Sequence, residues 1–197
     1  AFNRSSDQYY VTADIIPFSE FNDVLLYDDE TDILFQRNLY SFEIDVLQHR
    51  LSEFKVSGYR FDGYYSQIDS IQAYYQANMD IMNKEVRTEL FNLTDPIYTK
   101  VRDDAPAKYG LEASAKNSLI ADGCVIEGTV ENSILGRGCK IKKGVVIKNS
   151  VVLPDTYIEE GIVIENQIID KHTKLLHCKE LIGTPENPGY VRRGDTL

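Results

Sequence analysis

Aliphatic residues recur on a long, fixed period between residues 116 and 176. Ile120, Leu135, Val152 and Ile169 form one series, at steps of 15, 17 and 17. Ile126, Ile141, Ile158 and Leu175 form a second with the same steps, and Val130, Ile147 and Ile164 a third at 17 and 17. Two residues after each member of the third series comes an asparagine: Asn132, Asn149, Asn166. The run Asn117-Ser118-Leu119-Ile120 returns as Asn132-Ser133-Ile134-Leu135, as Asn149-Ser150-Val151-Val152 and as Asn166-Gln167-Ile168-Ile169. Three series on one shared period predict a triangular coil with a short strand on each face. Inward aliphatic side chains then stack on their copies in the next coil, about 4.8 Å away. Asn and Gly suit the corners because they tolerate positive φ. No coil can bury its own inward face, so the coils must stack as a parallel β-helix.

The first 95 residues follow shorter periods. Residues 24–27 and 33–35 are apolar runs that predict two strands around an acidic turn at 28–32. Ile44, Leu47 and Leu51 recur at 3 and 4 residues and predict a helix over 41–53. Residues 55–65 alternate and predict a strand, with Gly58 permitting a turn or bulge. Ser70 is placed to N-cap a helix running to Asn83, with Ile71, Tyr75, Met79 and Met82 on one face.

Composition supports a division at the same place. Residues 1–100 carry 17 acids and 8 bases, whereas residues 101–197 carry 14 and 13. Of the 12 glycines, 10 lie at or after Gly110, and 10 of the 13 tyrosines lie before residue 101. Pro96 and Pro106 sit in the polar stretch between the two compositions. The expected fold is therefore an α/β domain over residues 1–95, with 1–40 unassigned, and a β-helix domain over 96–197. The net charge of −10 argues against non-specific nucleic-acid binding, since no basic surplus exists to neutralise phosphates. No apolar run reaches the ~18 residues of a membrane span, and no signal peptide opens the chain. The cytoplasm is the expected compartment. Ala1 rather than Met stands first, as in a piece of a longer protein.

Candidate chemistry is sparse. Cys124 and Cys139 each precede a second-series Ile by two residues, so they stack on neighbouring coils. That spacing is within Cα reach of a disulfide, but small buried thiols packing as hydrophobes is the favoured expectation. The pattern does not place Cys178. His49, His172 and His177 form no nucleophile–base constellation with any Ser or Cys by spacing, and no metal-ligand spacing appears. No metal or cofactor is expected in this chain. Lys140, Lys142, Lys143 and Lys148 cluster on the β-helix. A solvated face is their ordinary role, and a small phosphate-bearing effector is the alternative.

Gly63-Tyr64-Tyr65-Ser66-Gln67-Ile68-Asp69-Ser70-Ile71-Gln72-Ala73-Tyr74-Tyr75-Gln76-Ala77-Asn78-Met79-Asp80 carries a family signature. It resembles the end of the nucleotidyltransferase domain of bacterial glucose-1-phosphate adenylyltransferase (ADP-glucose pyrophosphorylase). Pro96-Ile97-Tyr98-Thr99-Lys100, the segment Ala105-Pro106-Ala107, the coils that follow and the ending near Gly183 and Gly194 resemble the same family. The resemblance covers residues 41–197. It implies an α/β fragment of a nucleotidyltransferase domain followed by a left-handed parallel β-helix of the hexapeptide-repeat type.

The departures set the functional expectation. In the catalytic family a Trp and an Asp of this signature help to hold the sugar phosphate and its Mg. Tyr65 stands for the Trp, Gln67 for the Asp and Asp69 for a Gly, so these three residues mark at most a remnant substrate site. The family's Gly-rich loop, catalytic Asp and Glu-Lys motif have no counterpart here. The resemblance therefore implies the non-catalytic GlgD-type subunit of glycogen biosynthesis, a homo- or hetero-oligomer with a catalytic adenylyltransferase subunit. Another sugar-phosphate nucleotidyltransferase relative and a hexapeptide-repeat acyltransferase are the alternatives.

Overall fold

The computed structural model describes residues 2–5, 8–12, 56–57, 61–92, 94, 97–98 and 102–197. Contacts divide the chain into two compact units, Ala1–Gly63 and Tyr64–Leu197. The composition change near residues 95–107 falls inside the second unit, where helix gives way to coils.

In the first unit the described elements are an antiparallel pair, Phe2–Ser5 with Gln8–Thr12, and the short strand Val56–Ser57 parallel to the latter. The strands expected at 24–27 and 33–35, the acidic turn and the helix at 41–53 lie outside the described residues. Of the strand expected over 55–65, only Val56–Ser57 is described as strand, and residues 61–65 are irregular. At Tyr64 the backbone N–H donates to the side chain of Glu89 at 2.6 Å, so this donor is taken out of any ladder.

The second unit opens with two helices, α1 at Ile71–Asp80 and α2 at Lys84–Leu90. Ser70 caps α1 as expected, its Oγ accepting from the Ala73 N–H at 3.1 Å. The helix stops short of Asn83 for a local reason. Asn83 Oδ1 accepts from the Glu85 N–H at 2.8 Å and so caps α2, which leaves residues 81–83 as a turn.

The coils follow as three five-stranded parallel sheets. The first face stacks Lys108–Tyr109, Val125–Ile126, Lys140–Ile141, Tyr157–Ile158 and Lys174–Leu175. Ser114–Lys116, Thr129–Glu131, Val146–Lys148, Val163–Glu165 and Glu180–Ile182 make the second. The third holds Leu119–Ile120, Ile134–Leu135, Val151–Val152, Gln167–Ile169 and Gly189–Val191.

All three predicted series are in register. Ile126, Ile141, Ile158 and Leu175 are direct partners. So are Val130, Ile147 and Ile164, and Ile120, Leu135, Val152 and Ile169. Two further inward columns complete the core. Val145 and Ile162 form one and are buried. Below them a Cβ on Gly128 would lie 2.5 Å from the Val145 carbonyl, so only glycine fits there.

The other added column is Cys124, Cys139, Thr156 and Thr173. Each donates to a backbone carbonyl, Cys124 to Gly136 at 3.1 Å, Cys139 to Leu153 at 3.4 Å, Thr156 to Leu153 at 2.7 Å and Thr173 to Asp170 at 2.6 Å. The two cysteines are free, buried thiols and form no disulfide. The neighbouring Cys124 thiol and burial hold Cys139 well above the ordinary thiol range.

Corner geometry explains the repeated Asn-Ser. Asn117, Asn132, Asn149 and Asn166 all have φ between 44° and 52°. Their amides form a ladder, Asn117 to Asn132 at 2.8 Å and Asn132 to Asn149 at 2.7 Å. The serines form a second. Ser133 Oγ donates to Glu131 O at 2.7 Å and accepts from the Ser150 N–H at 3.0 Å, and Ser150 Oγ does the same toward Lys148 O and the Gln167 N–H. Asn132→Ala should therefore destabilise through two terms, a left-handed strain of about 1–2 kcal/mol and the lost amide bonds. Asn132→Gly loses only the bonds. We expect melting temperatures in the order wild type, Gly, Ala, at about 2–4 °C per kcal/mol. Equal melting of the two variants would show that φ does not decide this corner.

Candidate functional site

The signature segment adopts a definite local structure. Tyr64 Oη donates to Asp80 Oδ2 at 2.9 Å, and Gln76 Nε2 donates to Asp80 Oδ1 at 2.7 Å. Asp80 thus ties the irregular segment 64–69 to the end of α1. Tyr65, Gln67 and Asp69 lie on that segment, and all three side chains are exposed. Their donor set does not fit Mg. Magnesium wants carboxylates at near-octahedral geometry, whereas this set offers one exposed carboxylate, a neutral amide and a phenol. Among the described residues no group of three His, Cys, Asp or Glu side chains converges on a metal position.

The side chain that the signature does bury is Tyr75. It is 3% exposed and packs with Val151 and Ile168 of the third face, with Tyr74, Met79 and Leu153 around them. Its hydroxyl donates to Asn149 O at 2.6 Å and reaches Asn166 Oδ1 at 3.2 Å. Asn166 Oδ1 is the acceptor that a preceding amide fills on the lower steps of the asparagine ladder. Burial, with the Glu165 charge nearby, holds the Tyr75 hydroxyl above the ordinary tyrosine range, so it remains a donor. The helix is therefore keyed to the solenoid at one corner. A signal for this contact existed in the sequence. The third face carries two consecutive aliphatics on four of its five strands, and the outward member, Val151 or Ile168, is buried because α1 covers it.

Beside this seam lies an apolar hollow of about 230 Å³ lined by Ile71, Tyr74, Leu153, Ile168, Asp170 and Tyr190. Tyr190 Oη donates to Asp170 Oδ2 at 2.8 Å. Ile68, Ile71 and Tyr190 are each about half exposed. Such a surface suits contact with another chain better than bond-making chemistry.

The four lysines of the predicted cluster separate. Lys142 lies 3.5 Å from Glu127. Lys148 is in register with Glu131 on one side and Glu165 on the other. Lys140 and Lys143 are exposed. His172 pairs with Asp155 at 3.7 Å on a corner of the coils. No helix among the described residues is long and apolar enough to cross a membrane.

Similarity to known proteins agrees with this geometry. Residues 103–187 match the family model described as GlmU-like, C-terminal hexapeptide. A GlgD glycogen biosynthesis protein of Bacillus subtilis is 39% identical over 150 residues, 76% of this chain and 44% of that protein. The GlgD protein of Geobacillus stearothermophilus is 41% identical over 178 residues, 78% of this chain and 52% of that one. The glucose-1-phosphate adenylyltransferase of Clostridium perfringens strain 13 is 34% identical over 129 residues, 64% of this chain and 33% of the enzyme. The chain spans about half the length of the GlgD proteins it matches. It is a relative of the GlgD glycogen biosynthesis proteins and, at lower identity, of the glucose-1-phosphate adenylyltransferases, built on a hexapeptide-repeat left-handed β-helix.

Proposed function

We propose that this chain is part of a GlgD-type subunit in glycogen biosynthesis. It acts in the cytoplasm, assembles with a catalytic glucose-1-phosphate adenylyltransferase subunit and modulates ADP-glucose formation from ATP and glucose 1-phosphate. The observation that carries this reading is the 39–41% identity to GlgD proteins over three quarters of the chain. Gln67 supports the non-catalytic half of it, since an amide at the expected carboxylate position cannot compensate a divalent cation's charge. Mg then belongs to the catalytic partner. The half-exposed Ile68, Ile71 and Tyr190 beside the α1 seam support the assembly half.

The test uses the purified chain with ATP, glucose 1-phosphate and magnesium, following pyrophosphate. The chain alone is expected to give none. Added to an adenylyltransferase relative, it is expected to co-elute and to change that enzyme's KM or kcat. Turnover by the chain alone near the typical enzyme rate of about 10 per second would overturn the reading, as would failure both to co-elute and to alter the enzyme.

A further inference from the structure

Outward side chains of the solenoid stand in columns, one residue per coil. The second face carries a pair of such columns. One is charged and alternates in sign from coil to coil: Lys116, Glu131, Lys148, Glu165. The other is β-branched at its centre: Thr129, Val146, Val163. Lys148 and Val163 are exposed. Within the chain the alternation is only partly used. Lys116 reaches Glu131 at 3.6 Å, but among the described residues Lys148 and Glu165 close no ion pair.

Such a column is complementary to itself when reversed. A second copy can face this one across a two-fold axis that runs along the strand direction, midway between Glu131 and Lys148. The rotation reverses the solenoid axis and keeps the strand direction, so each column lies on its own copy in the opposite order. Lys116 then meets Glu165 of the partner subunit, Lys148 meets Glu131 of the partner subunit, and the symmetry repeats both pairs. Val146 lies on Thr129 of the partner subunit. Sliding the copies by one coil would set Glu131 against Glu165 of the partner subunit and Lys148 against its own copy. Charge therefore selects one register and opposes its neighbours.

We propose that the second face is a self-association surface, on which two copies of this chain pack antiparallel with their charged columns paired. Thr129, Val146 and Val163 form the apolar strip beside those pairs. The face measures about 24 Å over five strands and about 10 Å across, small against the roughly 800 Å² per partner of a standard interface. The dimer is therefore weak, forms at high micromolar concentration and is sensitive to salt. Helix α1 covers the third face, not this one, and self-association is read on the chain alone. Its failure would leave the GlgD-type reading in place.

The experiment is sedimentation equilibrium of the chain from low micromolar to millimolar concentration, in about 0.05 M and about 0.5 M salt. The mean mass is expected to rise toward that of a dimer at the lower salt and to fall back at the higher. K148E and E131K, each checked for folding by circular dichroism, set like charges opposite each other across the two-fold. Each alone is expected to associate at least about tenfold more weakly. An equimolar mixture of the two should recover association, because every position of one column then meets its opposite on the other. K140E, on the first face, should associate as wild type. The proposal is overturned if the wild type stays monomeric at millimolar concentration and low salt, if either single variant associates as wild type, or if K140E loses as much. It is equally overturned if the mixture does not recover, since the charges would then act along their own column and not across copies.

Discussion

Ile141→Asp is expected to unfold the β-helix. Ile141 is fully buried and stands in register between Ile126 below and Ile158 above. Its other neighbours are the apolar members of the same core. A carboxylate there has no cation within the core to pair with. Breaking charge balance in an interior costs several kcal/mol, against a whole-domain stability of about 5–15 kcal/mol. Because each coil contacts only the coils beside it, a failure at the third of five strands separates the stack rather than trimming an end. The matched control is Lys143→Asp, an exposed position two residues on, expected to stay within about 0.5 kcal/mol. Lys142 would serve less well, since an Asp there replaces the cation facing Glu127. Far-UV circular dichroism during heating distinguishes the two variants. Equal melting temperatures would mean that the inward register has been assigned to the wrong residues.

That register was legible in the sequence because stacking is a one-dimensional rule. A side chain that must lie on its own copy repeats at the coil period, and Ile126, Ile141, Ile158 and Leu175 do so at 15, 17 and 17. Columns that change residue type were harder to see. Cys124, Cys139, Thr156 and Thr173 share a place in the coil but not a hydropathy, and what unites them is a hydrogen bond to a backbone carbonyl. The lysines show a different limit. Sequence proximity grouped Lys140 with Lys142, yet the cross-strand register sets Lys140 beside Tyr157 while Lys142 meets Glu127. Charge compensation across strands is set by residues 15 to 17 positions away, which a local cluster does not reveal. The signature residues divide similarly. Resemblance singles out Tyr65, Gln67 and Asp69, which the structure leaves exposed. Tyr75, which the helical period places on the apolar face, turns out to join helix and coils.

Truncating Tyr75 is the second large effect we expect, and its signature is local. Helix α1 has ten residues, and helices that short are marginal in water without tertiary packing. Its buried contact with the coils is centred on Tyr75, Val151 and Ile168. Removing a buried aromatic ring costs about 3–5 kcal/mol, so Tyr75→Ala should release α1 while the strands stay stacked. Tyr75→Phe keeps the ring and removes only the hydroxyl. Asn149 O and Asn166 Oδ1 then lose their donor at the covered seam, at about 1–3 kcal/mol. Amide hydrogen exchange reads the two outcomes separately. In Tyr75→Ala the α1 amides should exchange nearly as fast as an unstructured peptide, and in Tyr75→Phe they should be protected to an intermediate degree. The amides of Ile147 and Ile164, on the face away from the helix, should keep their protection in both. If α1 stays fully protected in Tyr75→Ala, the helix is held by contacts other than this key. If the strand amides fall together with those of α1, helix and coils form one cooperative unit, and the exposed surface beside the seam cannot open without the core.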